Sequence, residues 1–220
     1  MDKITSSYKK SKNIYDTTLT QGNFLSRLYI DLFWSGVDDT KIAEKLLSFI
    51  PNDFSGKLLD VPVGTAVFTH KKYELMKNAD IICLDYSTDM LEQARKKLYD
   101  LENVKLLQGD VGNLQFIDNS FDIVLTMNGF HAFPDKSKAY YETHRILKNN
   151  GIFIGCFYIK GKSKITDFLV KNILAPNGWF TPPFETEESL KARLSQMYQI
   201  DEFYTDGSMV SFLCKKTYRS

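Results

Sequence analysis

Cysteine is scarce: there are three, Cys83, Cys156 and Cys214, widely spaced and with no C-x-x-C pair. That excludes a zinc knuckle, a thioredoxin-type redox motif and a disulfide framework, and no metal site is expected. Each lies inside an apolar run, where a free thiol behaves as a small hydrophobe suited to a reducing compartment. A surplus of charge is missing as well: Lys+Arg is 28 and Asp+Glu is 27, so the formal net charge is +1. A chain built to grip a phosphate backbone carries a clear basic excess, so nucleic acid is not the expected partner. The one local cluster, Lys160, Lys162, Lys164 and Lys171, reads as a solvated face around a helix start. Long hydrophobic runs are absent too; none approaches the ~20 residues that span a bilayer. The N-terminal MDKITSSYKKSKN is polar and lacks the apolar stretch of a signal peptide, which points to a cytoplasmic protein. Glycine is thin where nucleotide loops need it, and neither G-x-G-x-x-G nor the Walker A pattern occurs.

What is present is an ordinary globular composition, 43% hydrophobic and 25% charged, over 220 residues, enough for one domain. Apolar recurrence at helical spacing predicts a helix from Asn23 (Phe24, Leu25, Leu28, Tyr29, Leu32, Phe33) and another over Thr40–Phe49. Strands and helices then alternate. Strands are expected at Lys57–Val61, Asp80–Asp85, Asn103–Leu107, Phe121–Met127 and Ile152–Tyr158. Helices are expected at Val67–Met76, at Ser87–Leu98 with Ser87 as N-cap, and at Lys136–Leu147, stopped by Asn150-Gly151. Apolar strands separated by helices imply a parallel sheet covered on both faces, a doubly wound α/β architecture. Its ligand belongs beyond the carboxyl ends of the strands, at the topological switch point. Further on, Ile165–Leu174 and Glu187–Met197 read as helices, the latter capped by Thr186. Ile200–Tyr204 and Met209–Lys215 read as an antiparallel pair turning at Asp206-Gly207.

The strand ends carry the chemistry. In LLDVPVGTAVF, residues 58–68, Asp60 closes the first strand and a turn containing Gly64 opens toward a helix. Such a turn lets a ligand approach the backbone and meet free N–H groups. Asp85 closes the second strand, and a carboxylate there can accept both hydroxyls of a ribose. Tyr86 follows it, with a ring able to lie on an adenine face. Gly109-Asp110-Val111 follows the third strand, and Asp110 can accept from an adenine amino group.

Taken in order, these segments resemble the class I S-adenosylmethionine-dependent methyltransferases, and within them the small-molecule enzymes of the ubiquinone/menaquinone-biosynthesis type. LLDVPVGTAVF matches the first family motif, CLDYSTDMLEQAR the second, LLQGDVGNLQF the third and FDIVLTMNGFHAFPD the fourth, with RILKNNGIFIG before the fifth strand. The resemblance covers roughly residues 55–160. It implies a seven-stranded, mostly parallel Rossmann-like sheet with an antiparallel C-terminal pair, and S-adenosylmethionine as cofactor. By the same resemblance, Asp60, Val61, Pro62, Gly64 and Thr65 would surround the methionine moiety, and Asp85 with Ser87 the ribose. Tyr86 and Met90 would edge the adenine, Gly109, Asp110 and Val111 would read its rim, and Thr126, Met127 and Asn128 would line the methyl end. The family pattern is D-x-G-x-G-x-G; here Pro62 and Ala66 replace the outer glycines.

The fourth motif reads Asn128-Gly129-Phe130-His131. It lacks the Asp/Asn-Pro-Pro-aromatic of enzymes that methylate exocyclic amines of bases, which disfavours that chemistry. His131 is the candidate catalytic residue, a general base on a hydroxyl or acidic C–H, while His70 and His144 read as structural. Tyr15, Trp34, Phe130, Trp179 and Phe180 are the expected substrate pocket, suited to a planar or apolar molecule. The organisation expected is one domain over residues 1–220: a helical cap (1–50), a cofactor-binding core (51–159), a lid insertion (160–185) and a C-terminal helix and hairpin (186–220). The expected partner is a small methyl acceptor at O, C or N, and the chain is expected as a monomer or homodimer. The competing readings are a cofactor-binding protein without catalysis, an NAD(P)-dependent oxidoreductase and an RNA methyltransferase. The absent fingerprint glycines count against the oxidoreductase. The charge balance and the fourth motif count against RNA.

Overall fold

The structure, a computed structural model, describes residues 38–217. The helix expected from Asn23, together with Tyr15 and Trp34, lies outside the described residues. Chain order gives α1 (Asp39–Ser48), β1 (Lys57–Asp60), α2 (His70–Leu75), β2 (Asp80–Asp85), α3 (Thr88–Leu98), β3 (Val104–Gln108) and β4 (Phe121–Met127). Then follow α4 (Lys136–Ile146), β5 (Leu147–Tyr158), α5 (Lys164–Leu169) running into a π-helical turn (Val170–Leu174), α6 (Glu187–Met197), β6 (Gln199–Asp206) and β7 (Met209–Lys215).

The seven strands form one sheet in the order β3-β2-β1-β4-β5-β7-β6. The first five are parallel, and β7 pairs antiparallel with both β5 and β6. The order reverses between β1 and β4, which pair directly through Leu58 with Ile123 and Asp60 with Leu125. A crevice therefore opens beyond the carboxyl ends of these two strands, where their loops diverge to opposite sides.

Successive strand residues point to opposite faces, and each face is covered. Leu58, Ile81, Cys83, Ile123, Leu125 and Ile154 pack with α1 (Ile42, Leu46, Leu47) and α3 (Leu91, Ala94, Leu98). Their neighbours Leu59, Ile82, Val124 and Phe153 pack on the other face with α4 (Ala139, Tyr140, Ile146) and α6 (Leu190, Leu194). The caps are those the sequence implies: the Ser87 hydroxyl accepts from the Met90 N–H at 3.3 Å, and Thr186 forms a reciprocal capping box with Ser189. All three cysteines are buried free thiols.

Some boundaries differ. The chain reaches α2 only at His70, after a run of turns that begins beyond Ala66, which holds the left-handed region at φ 56°. The fourth helix ends at Ile146 and leads straight into β5, so Asn150-Gly151 lies inside an irregular strand start, with Asn150 at φ 63°. Strand β3 is an edge strand, mostly exposed, not the doubly covered strand its position in the alternation suggests. Among the described residues, no helix is long and apolar enough to cross a membrane.

Candidate functional site

The crevice is built from the residues that end β1, β2 and β4. Asp60 is buried, and its carboxylate accepts the Tyr73 hydroxyl at 2.8 Å. Burial, which penalises the charged form, pushes its pKa up to about 7, and the nearby Asp85 charge adds to the rise. Asp85 is likewise buried, with a pKa raised by burial against the opposing pull of backbone hydrogen bonds. One of its oxygens accepts the Gly64 N–H at 2.9 Å and the other the Ser87 N–H at 2.8 Å. A single carboxylate thus ties the turn after β1 to the start of α3. Each carboxylate oxygen has lone pairs left over for hydroxyl donors.

Gly64 adopts φ +55°, a region open to glycine at little cost, and a Cβ built on it would meet nothing within 4 Å. The space above the turn is open, the cradle that a ligand on the backbone needs. The two departures from the glycine-rich pattern have local explanations. Ala66 holds the left-handed conformation with its methyl in the core cluster beside α2 and α3. Pro62 packs on Gly129, where a Cβ would lie 2.3 Å from the proline Cδ and 2.8 Å from Phe133 Cζ. The turn after β1 and the turn after β4 therefore interlock, and the glycine missing at position 62 has a counterpart at 129.

At the end of β4 and in the loop after it, three polar atoms are buried without a hydrogen-bond partner: Thr126 Oγ1, Asn128 Oδ1 and His131 Nδ1. Asn128 holds φ 55°, and its N–H donates to the Cys156 carbonyl at 2.8 Å. Three of them within six residues leave hydrogen-bonding capacity open to a polar ligand. Asp39 Oδ1, at the start of α1, is another buried atom without a partner. Burial, and then repulsion by Asp38, raise its pKa to about 7. Sequence reasoning missed Asp39, since Asp38-Asp39-Thr40 reads only as a helix start, and Asp38 is indeed the cap.

The other expected residues separate into groups. Met90 is buried and Tyr86 exposed beside Asp85, flanking the same turn. Gly109 donates its N–H to the Asp85 carbonyl at 3.0 Å. Val111 is buried and Asp110 exposed, and both line a cleft of about 440 Å³ shared with Phe133 and Lys138. Phe130 departs from the expected pocket. It is fully buried in the core on the α4 face, stacked on Phe157 at 5.4 Å and on edge to Phe153, so its ring serves packing.

His131 also differs from the expected base. Its ring is buried and stacked on Phe180 at 4.0 Å. Burial first, and then the charge of Lys136, push its pKa down to about 3. The imidazole is therefore neutral at neutral pH and a weak proton acceptor. The loop that carries Phe180 is latched to the loop after β4. The Thr181 N–H donates to the His131 carbonyl at 2.9 Å and its hydroxyl to the Ala132 carbonyl at 2.9 Å, while the Lys136 ammonium donates to the Thr181 carbonyl. Trp179 and Phe184 pack with Phe180, Tyr158 and Leu174 in a small separate cluster.

Residues 59–155 match the methyltransferase domain family. Over that core segment the chain is similar to the methyltransferase domain family. A demethylmenaquinone methyltransferase of Staphylococcus epidermidis is 41% identical over 99 residues, which is 44% of this chain and 41% of that protein. One of Staphylococcus aureus is 37% identical over the same length. The chain thus spans less than half the length of the curated relatives it matches. Among solved structures, a SAM-dependent methyltransferase of Thermotoga maritima superposes with a TM-score of 0.68 at 20% identity, covering 97% of this chain and all of that one. A SAM-dependent methyltransferase of Aquifex aeolicus superposes with a TM-score of 0.62 at 16% identity over 82% of this chain and all of that one. These likenesses carry the fold. The cofactor implied by the methyltransferase domain is S-adenosylmethionine, and the open cradle at Gly64, the buried Asp85 carboxylate and the unpartnered atoms after β4 fit it.

Proposed function

We propose that the chain transfers a methyl group from S-adenosylmethionine to a small, planar or apolar acceptor, in the cytoplasm, as a monomer or homodimer. The observation that carries this is the convergence on one crevice of Asp60, the Gly64 cradle, Asp85 and the unpartnered Asn128. The cofactor, when bound, supplies a methyl group on a positively charged sulfur, already a good leaving group. The protein's part is alignment in a dry site. Asp85 takes the ribose hydroxyls while its tie to the Gly64 N–H keeps the cradle in place. Tyr86 and Met90 edge the adenine, with Gly109, Asp110 and Val111 at its rim. Val61, Pro62 and Thr65 shape the turn, and Met127 and Asn128 line the methyl end. His131, neutral, holds the acceptor through its unpartnered Nδ1, and Trp179 and Phe180 form the wall that excludes water, within a lid of residues 160–185. The fold core of residues 51–159 carries the cofactor. Asp39, its pKa raised by burial to about 7, is the candidate proton acceptor, since that value matches the task.

The named relatives act on a demethylated menaquinone, and a reduced naphthoquinone is the first acceptor to try. Methyl-labelled S-adenosylmethionine is incubated with the chain and, in turn, a naphthoquinol, a catechol, an aromatic amine and a transfer RNA. Label entering an organic-soluble small molecule supports the reading. Label in RNA alone, or in no acceptor despite cofactor binding, refutes it.

Asp60 gives the binding a pH dependence. Positive charge on the cofactor favours the ionised carboxylate, so binding releases a proton while Asp60 is protonated in the free protein. With a free-protein pKa of about 7, affinity rises with pH. The gain is about tenfold from about pH 6 to well above the pKa. Calorimetric titration across this range checks it, and Asp60→Asn removes the slope.

A further inference from the structure

The lysine cluster of the sequence remains unused by the proposed chemistry. It falls on α5 and the π-helical turn after it, residues 164–174, which pack inward through Thr166, Val170 and Leu174. The outward side is unusual. Ile165 is 59% exposed, Phe168 64% and Ile173 39%, and exposed Lys164 and Lys171 lie among them, with exposed Lys160 just before. The acid of the segment, Asp167, is turned inward: its carboxylate accepts the Tyr158 hydroxyl at 2.6 Å and the Gly161 N–H at 3.0 Å. Glu187, at the start of α6, is engaged by Lys162 and Lys191. Lys164 and Lys171 form no ion pair among the described residues. One short element thus presents bulky apolar side chains between uncompensated cations.

We propose that this face of residues 164–174 docks on an anionic membrane surface. Three bulky apolar side chains projecting into water cost free energy that insertion at the headgroup boundary recovers, and ammonium groups beside them meet lipid phosphates. A nucleic acid would use the lysines but leave Ile165 and Ile173 without a role, because bases stack on aromatic rings and not on branched aliphatic chains. The face adjoins the Phe180 loop, since Val170 and Leu174 share a cluster with Phe180. The docked protein would therefore hold its pocket wall close to the lipid, where apolar molecules concentrate. The docking itself stands on this surface alone and does not depend on the proposed chemistry.

The test is co-sedimentation of the full chain with vesicles of phosphatidylcholine alone and of phosphatidylcholine mixed with phosphatidylglycerol. Binding is expected to the mixed vesicles only and to weaken with salt. Lys164→Ala with Lys171→Ala lowers the partition about thirtyfold, and Phe168→Ser about tenfold through lost apolar burial. Removing Lys71 and Lys77, on another face, leaves it unchanged. All these positions are exposed, so the variants keep the wild-type melting temperature. No sedimentation, equal binding to both vesicle types, or equal loss with the Lys71 and Lys77 variants overturns the proposal. So does binding of an RNA oligonucleotide, or a self-association by light scattering, that the same substitutions abolish while vesicles are ignored.

Discussion

Asp85→Ala is expected to weaken S-adenosylmethionine binding by roughly two to four orders of magnitude. The carboxylate is buried and anchors two backbone N–H groups, of Gly64 and Ser87, from adjacent turns. Two charge-assisted hydrogen bonds to ribose hydroxyls contribute about 1.5–3 kcal/mol each, and each 1.4 kcal/mol is about tenfold in affinity. The same substitution leaves two N–H groups without their acceptor, so a loss of stability accompanies it. Asp85→Asn separates the two effects. It keeps an oxygen for one N–H and for one hydroxyl, so it should fold and recover part of the lost affinity. An alanine variant that melts like wild type and binds the cofactor unchanged would remove Asp85 from the site.

The second large effect is expected at Gly129. An added methyl would lie 2.3 Å from Pro62 Cδ and 2.8 Å from Phe133 Cζ, contacts that no bonded-chain geometry tolerates. A proline ring cannot swing aside, so the turn after β1 must shift. Overpacking of this kind costs about 1–3 kcal/mol, which lowers the melting temperature by about 2–12 °C for a chain of this size. Because the displaced turn carries Gly64, cofactor affinity falls with it. Gly109→Ala is the contrast. Its methyl would meet only the Leu84 side chain, nearest at 3.0 Å, a flexible neighbour and not a ring fixed to the backbone. Thermal melts of both variants check this, and equal costs would mean that Pro62 and Gly129 are not interlocked.

Much of this site was legible in the sequence because strand ends are fixed by local pattern. The run DIICLD stops at Asp85 and KLLD at Asp60, and once the strands are parallel their carboxyl ends must share one edge. The C-terminal hairpin, the Ser87 and Thr186 caps and the Pro-containing first turn followed from residue chemistry in the same way, although the hairpin turns at Gly207-Ser208, one residue beyond the expected Asp206-Gly207, with Asp206 still paired to Met209. What was not legible depends on packing between distant segments. Phe130 sits beside His131, yet its ring turns into the α4 face while the imidazole meets Phe180, some fifty residues on. Nothing local distinguishes the two. The depressed pKa of His131 comes from that burial, so its unperturbed value gave the wrong protonation tendency. Asp39 was not singled out because a first-turn acid looks the same whether it is exposed or buried. The pairing of Pro62 with Gly129 joins the first and fourth motifs, and only the β1–β4 adjacency brings them together.

The central claim is that this crevice binds S-adenosylmethionine. Calorimetric titration of the purified chain with S-adenosylmethionine and S-adenosylhomocysteine, with NAD alongside, tests it most directly. Saturable binding of both sulfur compounds and none of NAD is the expected result. Heat with NAD, or none with either sulfur compound at a pH above the Asp60 pKa, would contradict it.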